Sequence, residues 1–593
     1  MNRFTETAAA ATAAASLTLL GLGLTPAAHA DTTLPHKGKG DAIVARTLAA
    51  KPTTGWQSVI VKITGGDLTP THKAQIRQLG GYVYRHLPII ESAAVRVPSR
   101  NLARLAALPF VARLSSDQNV RKNDEFSVQA SGADVAFAQN GLTGQNVTVA
   151  ILDSGVEPHK DLGDWGTARS RVIAEKDFVN PEPILVYDTK SGLYERVYDP
   201  CGHGTHVAGI IAGNGAASTG NGFYRTFYGI ARKANLVSVR VLDGNGRGTV
   251  SNVIAGIQWV IANKVQHDIR VLNLSLGHPV GESYTTDPLC QAVEQAHFGG
   301  ITVVCAAGNN GRLQDKAAQN QDNEGYSTAY GSIQSPANDP YVITVGAMKA
   351  SGNERAKHKI ATYSSRGPSR LDFVMKPDIV APGNRVIATL AKGCYLDTAF
   401  GTTNTIAQSA YFSVGNGRTT SPGSTRESKN YFCLSGTSMA TPVVAGAVAL
   451  LLQKDPTLTP DTIKARLMLS ADKWAFPNGN GDALTFGAGY LNIPAALAST
   501  VTASQYALSP KLTQDANGNV YIDPSTIWGN RAIWGTDSVT DLRAIWGTRA
   551  VWGSNVVVDA NKAIWGSSVW ADRAVWGVST NVADLTSRAV QGE

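Results

Sequence analysis

The chain has 593 residues, of which 43% are hydrophobic and 17% charged, so it is long enough for several domains and apolar enough for a large core. Its formal net charge is +8, but the basic residues are spread along the chain without a run of five or more. This distribution is typical of a solvated basic surface and argues against nucleic acid as a partner.

Residues 1–30 have the pattern of a secretory signal peptide. Arg3 supplies a weak positive region, residues 17–24 an apolar one, and Ala28-His29-Ala30 a cleavage site, which predicts a mature start near Asp31. The uncharged stretch 7–28 would also suit a membrane anchor, but much of it is Ala and Thr, which insert poorly. No later stretch is long and apolar enough to span a bilayer. We therefore expect a secreted, extracellular protein with no membrane span after signal removal.

Residues 31–55 are polar and basic, and we expect them to be a flexible leader. Residues 56–122, which follow, are predicted to form a small unit. Strand-like and helix-like segments follow the order βαββαβ, which predicts a ferredoxin-like α+β fold. The predicted strands are 58–63, 81–84, 93–97 and 110–114, and the predicted helices are 71–79 and 99–108.

From residue 147 onward, short apolar runs alternate with helical stretches. This alternation predicts buried parallel strands with helices on both faces of the sheet. Such sheets bind ligands beyond the carboxyl ends of their strands, where we place Asp153, residues 275–277 and residues 308–309. The apolar runs are 147–152, 236–241, 271–276, 301–306 and 342–345, and the intervening helices include 251–262 and 289–298.

Three short motifs carry an acid, an imidazole and an alcohol. They are Asp153 in the segment A-I-L-D-S-G, His203 in G-H-G-T-H-V-A-G and Ser438 in G-T-S-M-A-T-P. The serine is predicted to lie in a turn directly ahead of an apolar, helix-like run, residues 442–452. A helix N-terminus there would favour developing negative charge. These residue types are the ones that nucleophilic catalysis of acyl transfer requires.

Together the motifs resemble the subtilase family of serine proteases, over roughly residues 133–497 and in the order Asp, His, Ser that subtilisins have. The resemblance implies an α/β, subtilisin-like three-layer fold with a mostly parallel sheet for a catalytic domain of residues 123–500. It also implies an endopeptidase that acts on protein or peptide substrates through an acyl-enzyme. Residues 56–122 resemble an inhibitor-type propeptide, which would occupy the cleft as an intramolecular inhibitor until the chain is cut within residues 115–125.

The resemblance also implies a role for each catalytic position. Ser438 would be the nucleophile, His203 the general base and Asp153 the acid that orients the imidazole. His206, one helical turn after His203, would be structural. Asn309, in the segment A-A-G-N, would donate its side-chain amide to the oxyanion of the tetrahedral intermediate.

A protease must grip extended backbone, so we expect the substrate to bind as an added β-strand. Arg247 either favours acidic or polar residues upstream of the cut or is simply solvated, and the second interpretation is favoured. A roomy apolar pocket without a charge preference is expected for the residue before the cut, lined by residues 306–308. The substrate-binding residues that the resemblance implies are Gly246, Arg247, Gly248, Ser275, Leu276, Gly277, Ala306, Ala307 and Gly308.

No cofactor is required for this chemistry, and structural calcium is left open. Asp161 resembles a calcium ligand of the family, but the loop 213–228 departs from the pattern that would supply the other oxygens. No pattern of zinc ligands is present in the sequence.

The five cysteines cannot all pair within one chain. Cys394 and Cys433 flank a Gly/Ser/Thr-rich stretch and could close it as a loop, and Cys290 with Cys305 is a second conceivable pair. Cys201 would then be a thiol near His203, either reactive or a small buried filler.

Two further segments depart from the family pattern. Residues 393–432 are predicted to be a long loop that overhangs the cleft and restricts substrates. Residues 501–593 contain repeats such as R-A-I-W-G, with seven of the eleven tryptophans of the chain. These repeats either contact a cell wall or polysaccharide through exposed tryptophans or pack as structure, and packing is slightly favoured.

Two alternative functions remain beside a general endopeptidase. One is a processing protease with narrow specificity, which would share the same chemistry. The other is an inactive subtilase that acts as a binding module through its Trp-rich tail. The presence of all four catalytic positions, Asp153, His203, Asn309 and Ser438, argues against the inactive module.

Overall fold

The computed structural model describes residues 54–514, except 118, 123–129, 165, 168, 181, 189–192, 222, 313–322, 351–354, 413–426 and 475–481, together with 40, 44, 47–48 and 520–522. The predicted signal peptide, most of the predicted leader and the Trp repeats lie outside these residues. In the part of the chain that is described, no helix combines the length and the apolar character that crossing a bilayer needs.

The N-terminal unit, residues 56–117, is a four-stranded antiparallel sheet with helices on one face. The strand order is β2-β3-β1-β4. Thr69 begins the first helix, because its side chain accepts a hydrogen bond from the His72 backbone N–H at 3.2 Å, ahead of a proline at the first helical position. The elements are β1 (Trp56–Ile63), α1 (Pro70–Gln78), β2 (Tyr82–Leu87), β3 (Ser92–Pro98), α2 (Leu102–Ala106) and β4 (Val111–Ser116).

The second helix of this unit is shorter than the sequence predicts. Residues Ser99–Asn101 form a 3₁₀ turn, and the α-helix begins only at Leu102. The core of the unit contains Ile76 and Leu105, and it also buries Val44, which belongs to the segment predicted as a flexible leader.

The central unit is built on an eight-stranded sheet in which every neighbouring pair is parallel except β15 with β16. The strand order is β16-β15-β14-β12-β6-β10-β7, and β17 also pairs with β15. Except for β7 and β16 at the two edges, these strands are largely buried on both faces, which explains their nearly continuous apolar sequences. They are β6 (Thr148–Asp153), β7 (Val172–Asp177), β10 (Asn235–Arg240), β12 (Ile269–Leu274), β14 (Thr302–Ala306), β15 (Ile343–Lys349), β16 (Lys359–Ile360) and β17 (Ile379–Pro382).

Helices cover both faces of this sheet and complete the three-layer α/β fold that the sequence predicts. One apolar cluster includes residues of α4 and α9, and a second includes residues of α5 and α7. The helices are α3 (Ala133–Asn140), α4 (His203–Ala212), α5 (Val250–Ala262), α6 (Lys264–His267), α7 (Pro288–Phe298), α8 (Tyr395–Asn404), α9 (Thr437–Lys454), α10 (Pro460–Leu469), α11 (Ala483–Phe486) and α12 (Ile493–Ala498).

Several short strands lie outside the large sheet. Strand β5 (Asn119–Lys122) is antiparallel to β11 (Arg247–Thr249) on one side and to β13 (Leu276–Gly277) on the other. The remaining strands are β8 (Ile184–Asp188) with β9 (Leu193–Val197), β18 (Val386–Thr389) with β19 (Thr405–Ala407) and β20 (Glu427–Leu434), and β21 (Leu512–Gln514) with β22 (Val520–Ile522).

The segment 393–432 is not one long loop, so that prediction is wrong for its described residues. It contains α8 and most of β20, whereas 413–426 lie outside the described residues. Helix α8 is held at its start by Asp397, whose carboxylate accepts from the Gly393 N–H at 2.8 Å and whose N–H donates to Cys394 Sγ at 3.4 Å. These contacts stabilise the N-terminal end of α8, which the Gly- and Thr-rich composition of the segment does not predict.

The start of α9 also differs from the prediction. Pro442 reads in sequence like the first residue of a helix, yet the helix begins at Thr437 and the proline lies inside it. Proline lacks the N–H that would bond the carbonyl of Ser438, four residues earlier. Ser275 supplies the missing donor, since its Oγ donates to that carbonyl at 2.8 Å.

The N-terminal unit docks on α5 and α7 of the central unit. Its residues Leu87 and Ile90 share an apolar cluster with residues of those helices. The Asp117 carboxylate accepts from the backbone N–H and from Oγ of Ser251, at 2.9 and 2.7 Å, in the first turn of α5. Arg113 pairs with Glu282 at 2.7 Å. Apolar contacts and charged pairs thus hold the two units together.

Candidate active site

Asp153 and His203 are brought together from residues fifty positions apart. Asp153 is the last residue of β6, His203 is the first residue of α4, and both side chains are buried. His203 Nδ1 lies 2.7 Å from Oδ1 and 2.9 Å from Oδ2 of Asp153. A carboxylate in this position holds the proton on Nδ1 and leaves Nε2 as the basic nitrogen.

The turn that carries His203 is organised by Asp199, which the sequence analysis missed. Its carboxylate accepts hydrogen bonds from the N–H groups of Gly202 and Thr205, at 2.7 and 2.8 Å, and from Ser154 Oγ at 2.8 Å. Burial raises the pKa of Asp199, although these donors oppose the rise. Asp199 therefore ties the start of α4 to the residue that follows Asp153. The only local signal is its place four residues before the histidine.

Ser438 and Ser275 are joined by two hydrogen bonds. Ser438 Oγ donates to the Ser275 carbonyl at 3.1 Å, and Ser275 Oγ donates to the Ser438 carbonyl at 2.8 Å. Both residues are fully buried, and α9, which carries Ser438 in its first turn, packs against α4. The serine is thereby anchored to the segment that the sequence predicts to bind substrate.

Asn309 is held by Thr437, the residue before Ser438. Its Oδ1 accepts from the N–H and from Oγ1 of Thr437, at 3.0 and 3.1 Å. Thr437 Oγ1 also accepts from the Gly308 N–H at 3.1 Å. Because Oδ1 is engaged in this way, any hydrogen bond from the Asn309 side chain to an oxyanion would have to come from its NH₂ group.

His206 does not join the pair formed by Asp153 and His203. Its Nε2 lies 3.0 Å from the Phe432 carbonyl, and the ring is buried within α4. This contact links α4 to β20 and is of the kind expected of a structural histidine.

The predicted substrate-binding segments form two edges with a strand between them. Strand β5 pairs Arg121 with both Arg247 and Gly277, and it pairs Lys122 with Leu276. Gly246, at φ +70°, closes the turn that precedes β11. The Arg247 residue is exposed, as the solvated interpretation expects.

Comparison with known proteins decides the family. The sequence model of the subtilase family matches residues 144–490, more than half of the chain. The chain belongs to the subtilase family. This subtilase is therefore a serine endopeptidase, as the sequence motifs predict.

Two relatives and one solved structure illustrate the similarity. Serine protease AprX of Bacillus subtilis (strain 168) is 35% identical over 395 residues, 64% of this chain and 74% of that protein. Subtilisin E of the same organism is 32% identical over 428 residues, 72% of this chain and 85% of that protein. The crystal structure of fervidolysin from Fervidobacterium pennivorans, a keratinolytic enzyme related to subtilisin, resembles the subtilase in fold. The TM-score is 0.50 at 21% identity, with coverage of 79% of this chain and 67% of that one.

The surroundings of Asp161 in this subtilase do not fit a calcium ion. Oδ1 accepts from the Ala217 N–H at 2.6 Å, and Oδ2 accepts from the Tyr431 hydroxyl at 2.7 Å. The Arg171 guanidinium donates to the carbonyls of Asp161 and Ala212, both at 2.6 Å. Burial lowers the pKa of Arg171 to about 10, so the guanidinium is charged at neutral pH and takes up carbonyl oxygens beside Asp161 that a cation would otherwise use. Among the described residues, no group of three or more His, Cys, Asp or Glu is placed to hold a metal.

The five cysteines, all of them described, are thiols in the subtilase, so neither Cys394 with Cys433 nor Cys290 with Cys305 is bridged. Cys394 packs directly against Gly202, the residue before His203. Gly202 has φ +93°, and a Cβ there would collide with Cys394 Sγ. Burial raises the pKa of the Cys394 thiol to about 12, which disfavours its reactive thiolate form.

Proposed function

We propose that this subtilase is a secreted endopeptidase whose catalytic triad is Asp153, His203 and Ser438. The observation that carries the proposal is the buried pair of Asp153 and His203, with Nδ1 to carboxylate distances of 2.7 and 2.9 Å. Ser438 lies in the first turn of α9, which packs against the helix that His203 begins. Two adjacent helices thus supply an oriented base and a nucleophile.

In the proposed reaction, Ser438 Oγ attacks the scissile carbonyl carbon while His203 Nε2 takes the hydroxyl proton. Asp153 holds the Nδ1–H and stabilises the imidazolium that forms. The imidazolium then gives its proton to the leaving amine, and the acyl group stays on Ser438. Water attacks this acyl-enzyme with the same imidazole as its base, which releases the second product and restores the serine.

Two donors are proposed for the oxyanion. One is the NH₂ group of Asn309, whose carbonyl oxygen is held by Thr437 at 3.0 Å. The other is the backbone N–H of Ser438, one of the groups that the first turn of a helix leaves without an intrahelical acceptor. Both act without reorganising when charge develops, which is what makes such donors effective.

The N-terminal unit is proposed to be an inhibitor-type propeptide, so that the protein is made as a zymogen. Strand β5, directly after this unit, lies between β11 and β13, the two edges predicted to bind substrate. A strand in this position excludes a substrate strand from the same edges. The docking of Asp117 and Arg113 on the central unit supports the same role, and cleavage within residues 115–125 would release it.

Export and the function of the tail rest on sequence alone, since residues 1–30 and the Trp repeats lie outside the described residues. We propose that residues 1–30 are removed as a signal peptide and that the enzyme acts extracellularly. The repeats are proposed either to pack as structure, the slightly favoured interpretation, or to contact a cell wall or polysaccharide. Binding of the secreted protein to insoluble glycan, with and without residues 515–593, tests that contact.

The central test is covalent labelling of the purified protein with a fluorophosphonate, followed by digestion of casein. We expect Ser438 to be labelled and casein to be cut, and the Ser438→Ala variant to remain an unlabelled and uncut precursor. Absence of labelling in the processed protein would exclude the triad. Labelling without casein digestion would instead indicate a narrow-specificity processing protease. Normal processing of purified Ser438→Ala protein would exclude intramolecular maturation.

A further inference from the structure

A buried carboxylate, that of Asp199, lies between the segment that follows β6 and the turn that precedes α4. Its Oδ1 accepts hydrogen bonds from Ser154 Oγ at 2.8 Å and from the N–H groups of Cys201 and Gly202, at 3.2 and 2.7 Å. Its Oδ2 accepts from the N–H and from Oγ1 of Thr205, at 2.8 and 2.6 Å. All of these groups donate to the carboxyl group, which suits its ionised form, since that form can only accept. The structure therefore fixes a negative charge at this place.

The two segments on either side of Asp199 are joined to each other by two hydroxyl groups. Ser154 Oγ, which donates to Asp199, accepts from the Gly204 N–H at 3.0 Å. Thr205 Oγ1, which also donates to Asp199, accepts from the Glu157 N–H at 2.9 Å. Because both hydroxyls donate to the same carboxylate, Asp199 fixes the direction in which each of them accepts. The network thus joins the residues beside the proposed acid to the residues beside the proposed base.

The same two segments approach each other at glycines. Gly155 has φ +115°, and a Cβ there would collide with the Tyr198 carbonyl. A Cβ on Gly204 would collide with the Gly155 carbonyl. Backbone meets backbone at both contacts, so a shift of one segment displaces the other. The positions of Asp153 and His203 relative to each other therefore depend on the contacts that hold these segments together.

Carboxyl and thiol groups face the turn from the elements packed against it. The negative charge of Asp199 adds to the effect of burial in raising the pKa of the Cys394 thiol, at the start of α8. In the proposed reaction, only the imidazole of His203 gains a positive charge. A buried negative charge four residues away is poorly screened by solvent and favours that cation. The groups that face the turn are Asp153, Glu157, Cys201 and Cys394.

We infer that Asp199 is a positioning residue of the proposed triad, whose carboxylate holds the base against the acid and whose negative charge stabilises the imidazolium that forms. This inference rests on the proposed function. Asp199 acts through His203 rather than on the substrate, because it is buried in the network behind the turn. Its two contributions can be separated, since the Ser154 hydroxyl takes part in the positioning but carries no charge.

Two substitutions separate the positioning from the charge. Asp199→Asn removes the charge and sets an NH₂ group against N–H donors, so we expect kcat to fall by about tenfold or more with KM nearly unchanged. The acid limb of the pH profile of kcat/KM should also move to lower pH, by about 0.5–1 unit, because the imidazolium loses a nearby opposite charge. Ser154→Ala should lower kcat by about threefold or more and leave the acid limb in place. The control Asp134→Asn removes an exposed carboxylate and should change neither quantity.

Active enzyme in each preparation is counted by fluorophosphonate labelling, so failure of the proposed function appears as absent labelling of the wild-type protein. The inference fails if labelled Asp199→Asn enzyme keeps the kcat of the wild type or an unmoved acid limb. An equal movement of the acid limb in Ser154→Ala would overturn the contribution of the charge. If Asp199→Asn does not fold or mature, Ser154→Ala decides, and a kcat equal to that of the wild type would then overturn the inference.

Discussion

Ser275 and Ser438 each donate a hydroxyl hydrogen bond to the other's carbonyl, at 2.8 Å from Ser275 and 3.1 Å from Ser438. The first bond compensates for Pro442, which removes the donor that the Ser438 carbonyl would have within α9. The second holds the proposed nucleophile beside the proposed substrate-binding edge. A proline in the wrong place for a helix is thus tolerated because another segment repairs the defect.

Ser275→Ala is expected to lower the free energy of unfolding by about 1–3 kcal/mol, because it leaves the buried Ser438 carbonyl without its donor. Chemical denaturation of the variant in a His203→Ala background, which prevents autolysis, measures this change. Adding Pro442→Ala restores a backbone N–H, so the double variant should recover part of the loss. Additive effects of the two substitutions would show that the repair does not exist.

Asn309→Ala is expected to lower kcat by roughly 10²–10³ with a much smaller change in KM, since an oxyanion donor acts mainly in the transition state. Steady-state kinetics on a peptide substrate, normalised to the folded protein, measures both constants. Asn310→Ala is the matched control, because Asn310 is the exposed neighbour of Asn309 and has no proposed role. A drop of less than about tenfold for Asn309→Ala would remove Asn309 from the oxyanion site.

Calcium is expected to make no difference to the effect of substituting Asp161. Both of its carboxylate oxygens accept hydrogen bonds, from Ala217 and Tyr431, and Arg171 occupies the adjacent carbonyls. The decrease in Tm caused by Asp161→Asn should be the same in about 1 mM calcium as in excess EDTA.

The nearby surface variant Asp164→Asn controls for the loss of one charge. A ligand role for Asp161 would show itself differently. Calcium would then stabilise the wild-type protein but not Asp161→Asn, because an ion stabilises only the state that binds it.

A buried cluster away from the site has two lysines for one aspartate. Asp378 lies 2.7 Å from Lys376 Nζ and 3.4 Å from Lys464 Nζ, and all three side chains are buried. Burial lowers the pKa of Lys464 from its ordinary value to about 7, and the Lys376 charge adds to this effect while Asp378 opposes it. The buried carboxyl of Asp339 also opposes the shift, but the pKa of Lys464 still lies well below its ordinary value.

Because the folded pKa of Lys464 lies below the unfolded one, the unfolded chain binds more protons between pH 7 and 10.5. The free energy of unfolding should therefore rise with pH in that window, by up to about 1.4 kcal/mol per pH unit. Chemical denaturation at about pH 7.5 and pH 9, in the His203→Ala background, measures this rise in the free energy of unfolding, and Lys464→Met should make it smaller. Lys359→Met, which removes an exposed lysine at the edge of the sheet, should leave the rise unchanged.

Five strands of the large sheet, β6, β10, β12, β14 and β15, could be predicted because they are buried, so their sequences are nearly continuous apolar runs. Strand β7 could not be predicted in this way, because its residues are half-buried or exposed. The start of α9 could not, because the sequence shows the proline but not the Ser275 hydroxyl, 163 residues away, that makes an earlier start favourable. The segment 393–432 was misjudged for a related reason, since α8 depends on end contacts at Cys394 and Asp397 that composition does not reveal.

The sequence alone determined which residue types carry the chemistry, their order along the chain and the layers of the fold, because apolar periodicity and short motifs are local properties. Only the tertiary structure decided which atoms meet: Asp199 with the start of α4, Ser275 with Ser438, and Asn309 with Thr437. Hydrogen bonds and close contacts act over a few ångströms between segments far apart in the chain. Their partners therefore become identifiable only when the sheet and its helices bring those segments together.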